Sequence, residues 1–187
     1  MKKLVFAALF FPVMFLSCSK DKTEPESEPE SPVNAITTYA NVSFGVKHDD
    51  AVHARFFSTE TGKSYKDSEV TASTGPKIDI CFEQMDVSVN YFLSATDRDV
   101  KLTIPGATGS LFVNYVTAEV MTIAEFDAMT DSDKLAATAI DKNDNNAFGA
   151  GNIPVLVLFK NAAGKKGVIK VTAINAERIL ADIKVQK

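Results

Sequence analysis

The chain has 187 residues, of which 45% are hydrophobic, with thirteen phenylalanines, no tryptophan and a formal net charge of -4. This apolar content is typical of a globular protein and excludes a chain that is disordered throughout. The acidic balance argues against the basic surface that binds nucleic acid.

The first seventeen residues have the pattern of a bacterial secretory signal peptide. Two lysines follow Met1, and the apolar run 4–16 is too short to span a bilayer comfortably. The residues Phe15-Leu-Ser-Cys18 resemble the lipobox of bacterial lipoproteins, although Phe15 stands where leucine is usual. That resemblance implies that residues 1–17 are removed and that Cys18 is lipidated. The alternative is an ordinary signal peptide with an incidental cysteine.

Residues 18–33 follow as the predicted lipidated cysteine and a spacer rich in Glu, Pro and Ser. Such a composition has almost nothing to bury and predicts a disordered, acidic linker. The acidic run resembles the export signals of Bacteroidetes surface lipoproteins, and a plain tether explains it equally well. We therefore expect an outer-membrane lipoprotein, on the periplasmic face or the cell surface, whose folded domain covers 34–187.

A hairpin near the C-terminus is expected to form the centre of this domain. Residues 155–159 are a continuous apolar run, which is typical of a strand buried on both faces. In the second arm, Ile169, Val171 and Ala173 alternate with polar residues. Gly164 and Gly167 lie between the arms, where a turn requires positive φ.

The rest of the domain shows short strands with period-two alternation and one helical stretch. Thr122 and Glu125 have the spacing of a capping box, and Thr130 is expected to open a second helix in the same way. The fold class is therefore mainly β, an antiparallel sandwich or barrel-like domain with two short helices inserted before the C-terminal hairpin and covering one end. Strands are expected at 42–46 and 52–56, paired as a first hairpin, and at 78–83, 87–93, 100–104, 111–120 and 179–185.

Four stretches are informative together: FFSTETGK at 56–63, KIDI at 77–80, FKNAAGKKGVIKV at 159–171 and IKVQK at 183–187. They resemble uncharacterised Bacteroidetes outer-membrane lipoproteins and, more distantly, the HmuY-type haemophore lipoproteins. The haemophore family holds haem iron between two His or Met side chains. The resemblance implies Met85 as a first haem ligand and Met121 or Met129 as a second. The alternative is that these methionines fill the core or lie on the surface.

Two polar segments carry residue types that bind metals. His48, Asp49 and His53 could ligate a transition metal, although aspartate is also common in turns. The loop that begins at Asp141 places Asn143 and Asn145 at alternating positions, like the start of a calcium loop. Its later positions lack the required glycine and glutamate, so a plain polar loop is the alternative.

The remaining chemistry favours binding over catalysis. The chain has no HExxH, GxSxG or CxxC motif and no glycine-rich phosphate loop. If Cys18 is acylated, Cys81 has no disulfide partner and is expected to be buried. We therefore expect a non-catalytic lipoprotein without a cofactor, with haem and calcium as alternatives. Its expected partners are the membrane, reached through the lipid, and an unknown small ligand or envelope protein; a structural part of an envelope complex is a further alternative.

Overall fold

A computed structural model describes residues 34–86, 88–144 and 146–187. The predicted signal peptide, Cys18 and linker lie outside the described residues. The described residues form nine strands: β1 Ile36–Gly45, β2 Phe56–Ser58, β3 Lys63–Tyr65, β4 Ile80–Asp86, β5 Val89–Leu93, β6 Leu111–Val113, β7 Val155–Lys160, β8 Lys166–Ile174 and β9 Arg178–Gln186. They form a five-stranded sheet of order β1-β9-β8-β7-β6 and a four-stranded sheet of order β3-β2-β4-β5.

The two antiparallel sheets pack face to face as a sandwich and do not close into a barrel. Phenylalanine dominates the layer between them, because its large side chain fills the space that two sheets leave. Phe44 of β1 packs edge-on against Phe57 of β2 and Phe92 of β5. These contacts join the two sheets. The sandwich alternative of the predicted fold class is confirmed.

The C-terminal hairpin of β7 and β8 lies at the centre of the five-stranded sheet, as predicted. Every residue from 155 to 159 is buried, with Val157 and Phe159 between the sheets and Leu156 on the outer face. Gly164 has φ +79°, as a tight turn requires. Gly167 does not have positive φ; it is needed because an added Cβ would lie 2.2 Å from Phe159 Cζ.

The alternation predicted along β8 is interrupted near its end. Val171 pairs with Ala181, but a bulge shifts the register before Ala173. A bulge adds one residue to one strand, so the following side chains exchange faces. Ala173 is therefore exposed, and Ile174 packs against the core instead.

Two short helices cover the outer face of the five-stranded sheet, not one end of the sandwich as predicted. Helix α1, Ile123–Ala128, begins with the predicted capping box: Glu125 N donates to Thr122 Oγ1 over 3.1 Å, and Thr122 N donates to Glu125 Oε2 over 2.7 Å. Helix α2, Asp133–Ala137, begins after Ser132 and not at Thr130. Phe126, Met129 and Leu135 pack onto Leu156, Leu158 and Val168, which explains why β7 is buried on both faces.

Three predictions about strands differ from the structure: one hairpin and two single strands. Residues 42–46 and 52–56 do not form a hairpin, since β1 pairs with β9 and β2 pairs with β3 and β4. Residues 100–104 form a loop whose Val100 and Ile104 pack beside Cys81 on the outer side of β4. This packing produces period-two burial without a strand. Only the first three residues of 111–120 form a strand.

Candidate functional site

One side of the sandwich is closed by side chains instead of a strand. β5 and β6 are edge strands of different sheets. The side chain of Asn114, which follows β6, accepts a hydrogen bond from Phe92 N over 2.6 Å and donates to Phe92 O over 2.9 Å. Asn90 pairs with Phe148 through backbone hydrogen bonds in both directions. The edge of β5 is therefore satisfied without another strand.

The loop predicted to bind calcium covers the edge of β6. Asn143 Oδ1 accepts a hydrogen bond from Phe112 N over 2.8 Å, and Asp144 N donates to Phe112 O over 3.0 Å. Asp144 Oδ1 accepts from Asn114 N over 2.9 Å. Asp141 is exposed, and Asn145 lies outside the described residues. The oxygens of Asn143 and Asp144 thus replace the hydrogen bonds of a missing neighbouring strand.

The two covered edges border a cavity of about 270 Å³, which we call the edge cleft. It brings together Met85, singled out as a haem ligand, and Asn143, singled out as a calcium ligand. The described residues that line it include no lysine, arginine or histidine. They are Met85, Tyr91, Phe92, Leu93, Ser94, Asp97, Asp99, Phe112, Asn114, Asn143 and Asp144.

The structure does not bring the candidate haem ligands together. Met85 lies on β4 of the four-stranded sheet and is 50% exposed. Met121 and Met129 are buried under the helices, on the outer face of the other sheet. These two methionines fill a packed apolar cluster, as flexible thioether side chains commonly do.

A second polar feature is a buried ion cluster around Arg55, which is 1% exposed. Its guanidinium donates to Asp67 from Nε over 3.0 Å and from Nη2 over 2.8 Å, and Nη1 donates to Glu83. Burial by itself would raise the pKa of Asp67, but the hydrogen bonds and positive charge of Arg55 outweigh it and lower the pKa. The cluster fixes the segment before β2 against β4.

The two histidines that were predicted to bind a transition metal contact different carboxylates. His48 Nε2 lies 3.1 Å from Glu83 Oε2, and His53 Nδ1 lies 2.9 Å from Asp50 Oδ2. Asp49 has φ +53° and donates its backbone N–H to Asp67. The two imidazoles thus contact different carboxylates, that of Glu83 and that of Asp50. Through Glu83, His48 belongs to the Arg55 cluster.

A third polar group lies where the β7–β8 turn meets β2. Asp79 accepts hydrogen bonds from the backbone N–H and hydroxyl of Thr59 and from Asn161 Nδ2. Burial raises the pKa of Asp79, against the opposite effect of these hydrogen bonds. The group borders a second cleft of about 590 Å³, but its members bond to one another. It therefore connects the two sheets.

The remaining features of the described residues are one cysteine and the outcome of a search for metal-ligating groups and membrane-spanning helices. Cys81 is fully buried, as predicted, and burial raises the pKa of its thiol. Within residues 34–86, 88–144 and 146–187, no three His, Cys, Asp or Glu side chains are grouped to hold a metal ion. In these same ranges no helix has the length and hydrophobicity needed to cross a membrane.

Arg55, Asn114 and Asp97 were not predicted from the sequence as site residues. The sequence around Arg55 and Asn114 does indicate a buried polar group, because each stands beside apolar residues. Arginine and asparagine are rarely buried unless they are paired. Arg55 stands directly before two phenylalanines, and Asn114 follows an apolar strand. Asp97 lies in an exposed turn pattern with nothing to distinguish it from other turns.

Comparisons with known proteins agree with the fold. No family model matches the chain, and no curated protein matches it. The chain is similar in structure to a DUF4466 family protein from Parabacteroides merdae ATCC 43184, with a TM-score of 0.57 and 14% identity. The match covers 81% of this chain and 54% of that protein, so this chain spans about half its length. At this identity the likeness is one of fold, shared with an uncharacterised Bacteroidetes protein, and it gives no link to the haemophore family.

Proposed function

We propose that this chain is a lipid-anchored lipoprotein of the bacterial cell envelope that binds a small ligand in the edge cleft and has no catalytic role. The proposed anchoring is supported by Cys18, which stands directly after a short apolar leader and before an acidic spacer. A tether of this kind holds a folded domain near a membrane without inserting the domain itself.

Binding is supported by the way in which the domain uses its ionisable groups. The buried carboxylates of Asp67 and Glu83 are engaged by Arg55, and Asp79 is engaged by Thr59. Arg55 holds the segment before β2 against β4 through Asp67 and Glu83, and Asp79 joins the two sheets through Thr59 and Asn161, so we assign these carboxylates a structural role. Asp97 and Asp99 line the edge cleft, a concave surface with apolar walls, and such a surface is typical of ligand sites.

The anchoring is tested by fractionating cells that express the Cys18→Ala variant. We expect the unaltered chain in the membrane fraction and the variant in the soluble fraction, because the acylated side chain is lost. Cys81→Ala is the matched control, since it removes the other cysteine and leaves the anchor; it should remain with membranes. Retention of Cys18→Ala in the membrane fraction would contradict the proposal.

A further inference from the structure

We propose that one end of the sandwich lies against a negatively charged lipid surface and contacts it through exposed lysines. We call it the lysine end and define it by Lys63, Lys77, Lys165 and Lys187. This inference rests on the proposed anchoring through Cys18 and adds to it the face that the domain turns towards the membrane. It is carried by the place where the predicted linker joins the domain and by the charge of these lysines.

The predicted linker joins the domain at the lysine end. β1 begins there, and Lys187 N donates to Ala35 O over 2.9 Å, so the first residues of the domain lie beside its last one. Residues 18–33 separate Cys18 from Asn34. An extended chain spans ~3.3–3.6 Å per residue, so this separation is at most ~60 Å. A lipid on Cys18 therefore holds the domain to the membrane by this end.

Four separate segments bring the lysines to the same end of the two sheets. Lys77 precedes β4, Lys165 lies in the β7–β8 turn and Lys187 follows β9, and all three line one cleft of about 590 Å³. Lys63 begins β3 directly after the β2–β3 turn, whose Glu60 lines that same cleft. The antiparallel order of the strands therefore gathers residues that are far apart in the chain.

The lysines leave positive charge in excess at this end. Each of the four is exposed, and none forms an ion pair within the described part of the chain, whereas Lys134 and Lys170 do. Among the described residues that line the cleft, Glu60 has an exposed carboxylate, and Asp79 is buried and engaged by Thr59. The chain as a whole has a net charge of -4, so the lysine end is opposite in sign to the chain. Positive groups are attracted to an anionic membrane surface.

A membrane surface fits this arrangement better than a small anion bound in the cleft. The carboxylates of Glu60 and Asp79 line the cleft and repel an anion that enters it. The lysines come from turns and strand ends around the cleft, where a broad anionic surface meets their amines without entering. Each lysine close to such a surface strengthens the attachment about fivefold.

The test is the reactivity of individual lysines in the full lipidated chain, purified from membranes and reconstituted into vesicles. One preparation uses phosphatidylcholine alone, and the other adds an equal amount of phosphatidylglycerol. Mass spectrometry measures how fast a neutral amine-acylating reagent modifies each lysine. We expect the four lysines of the lysine end to react at least about threefold more slowly in the anionic vesicles. Lys47, exposed in the loop beyond the opposite end of β1, should react equally in both.

Salt and a matched pair of variants test whether the protection is electrostatic. Raising the salt to about 1 M should remove it, because the screening length falls to about 3 Å. The double variant Lys77→Gln with Lys165→Gln alters exposed side chains only, so it is expected to fold. It should lose the protection of Lys63 and Lys187, whereas Lys47→Gln, the control, should retain it.

Equal reactivity in the two kinds of vesicle, or protection that the double variant retains, would overturn the proposal. Protection that persists in phosphatidylcholine or in detergent would also overturn it, since it indicates a contact with protein instead of lipid. Flotation of the same vesicles separates the two levels of the argument. A chain that floats with both but reacts equally overturns the lipid contact alone, and a chain that floats with neither overturns the anchoring.

Discussion

Replacing Arg55 by alanine tests the buried ion cluster most severely. The variant leaves the carboxylates of Asp67 and Glu83 without their main donor, although these residues are only 8% and 2% exposed. Removing one partner of a buried ion pair costs ~3–5 kcal/mol. Since domains are stable by only ~5–15 kcal/mol, we expect a large loss in the free energy of unfolding.

The same variant should reverse the pH dependence that this cluster contributes. In the unaltered chain the pKa of Asp67 lies below 3.8, so its contribution to stability is present above that pH and is lost as the pH falls through the folded pKa. Without Arg55, burial dominates and raises the folded pKa. The variant's deficit relative to the unaltered chain should therefore shrink as the pH falls from 7 towards about 4.

Urea melts of Arg55→Ala at pH 7 and at about pH 4.5 measure both effects. Arg98→Ala, whose side chain is 93% exposed, is the matched control and should change stability by less than about 0.5 kcal/mol. A deficit below about 1 kcal/mol at pH 7, or a deficit that grows on acidification, would show that Arg55 does not neutralise the buried carboxylates of Asp67 and Glu83.

Three further predictions concern the five-stranded sheet and its helices, and denaturant melts check each of them. Phe159→Ala should lower the free energy of unfolding by ~3–5 kcal/mol, because the side chain is fully buried. Lys165→Ala, in the exposed turn, should lower it by less than about 0.5 kcal/mol, and equal losses would mean that β7 is not central. Gly167→Ala should destabilise the domain because its Cβ would overlap Phe159, whereas Gly151→Ala has open space; similar midpoints would contradict this. Thr122→Ala should cost ~1 kcal/mol through the lost cap of α1, and an unchanged midpoint would argue against the capping box.

The features that the sequence predicted correctly are those encoded by neighbouring residues. The apolar run 155–159 indicates a strand buried on both faces, and Thr122 with Glu125 indicates where a helix begins. The alternation from Ile179 to Val185 likewise matches β9. In each of these segments the period of hydrophobic residues agrees with the burial that tertiary packing imposes.

The errors arise where distant segments decide the structure. β1 pairs with β9, at the other end of the domain, so the nearby segment 52–56 is not its partner. Val100 and Ile104 alternate like a strand because a loop buries them against the outer side of β4. Short-range periodicity does not distinguish these arrangements.

The edge cleft could be predicted only in fragments. Met85 was a candidate haem ligand and Asn143 a candidate calcium ligand, and the two residues are far apart in the chain. They meet because β5 and β6 are the edges of two sheets that face each other. Asp97 joins them from the loop after β5, and nothing in its local sequence indicates that position.

The most direct test of the central claim, attachment to the envelope through Cys18, is mass spectrometry of the N-terminal peptide of the chain purified from membranes. We predict a peptide that begins at Cys18 and carries acyl chains on that residue. Multiple chains are expected, since a single chain gives only marginal attachment. A peptide that begins at Met1, or one that contains an unmodified Cys18, would contradict attachment through a lipid on Cys18.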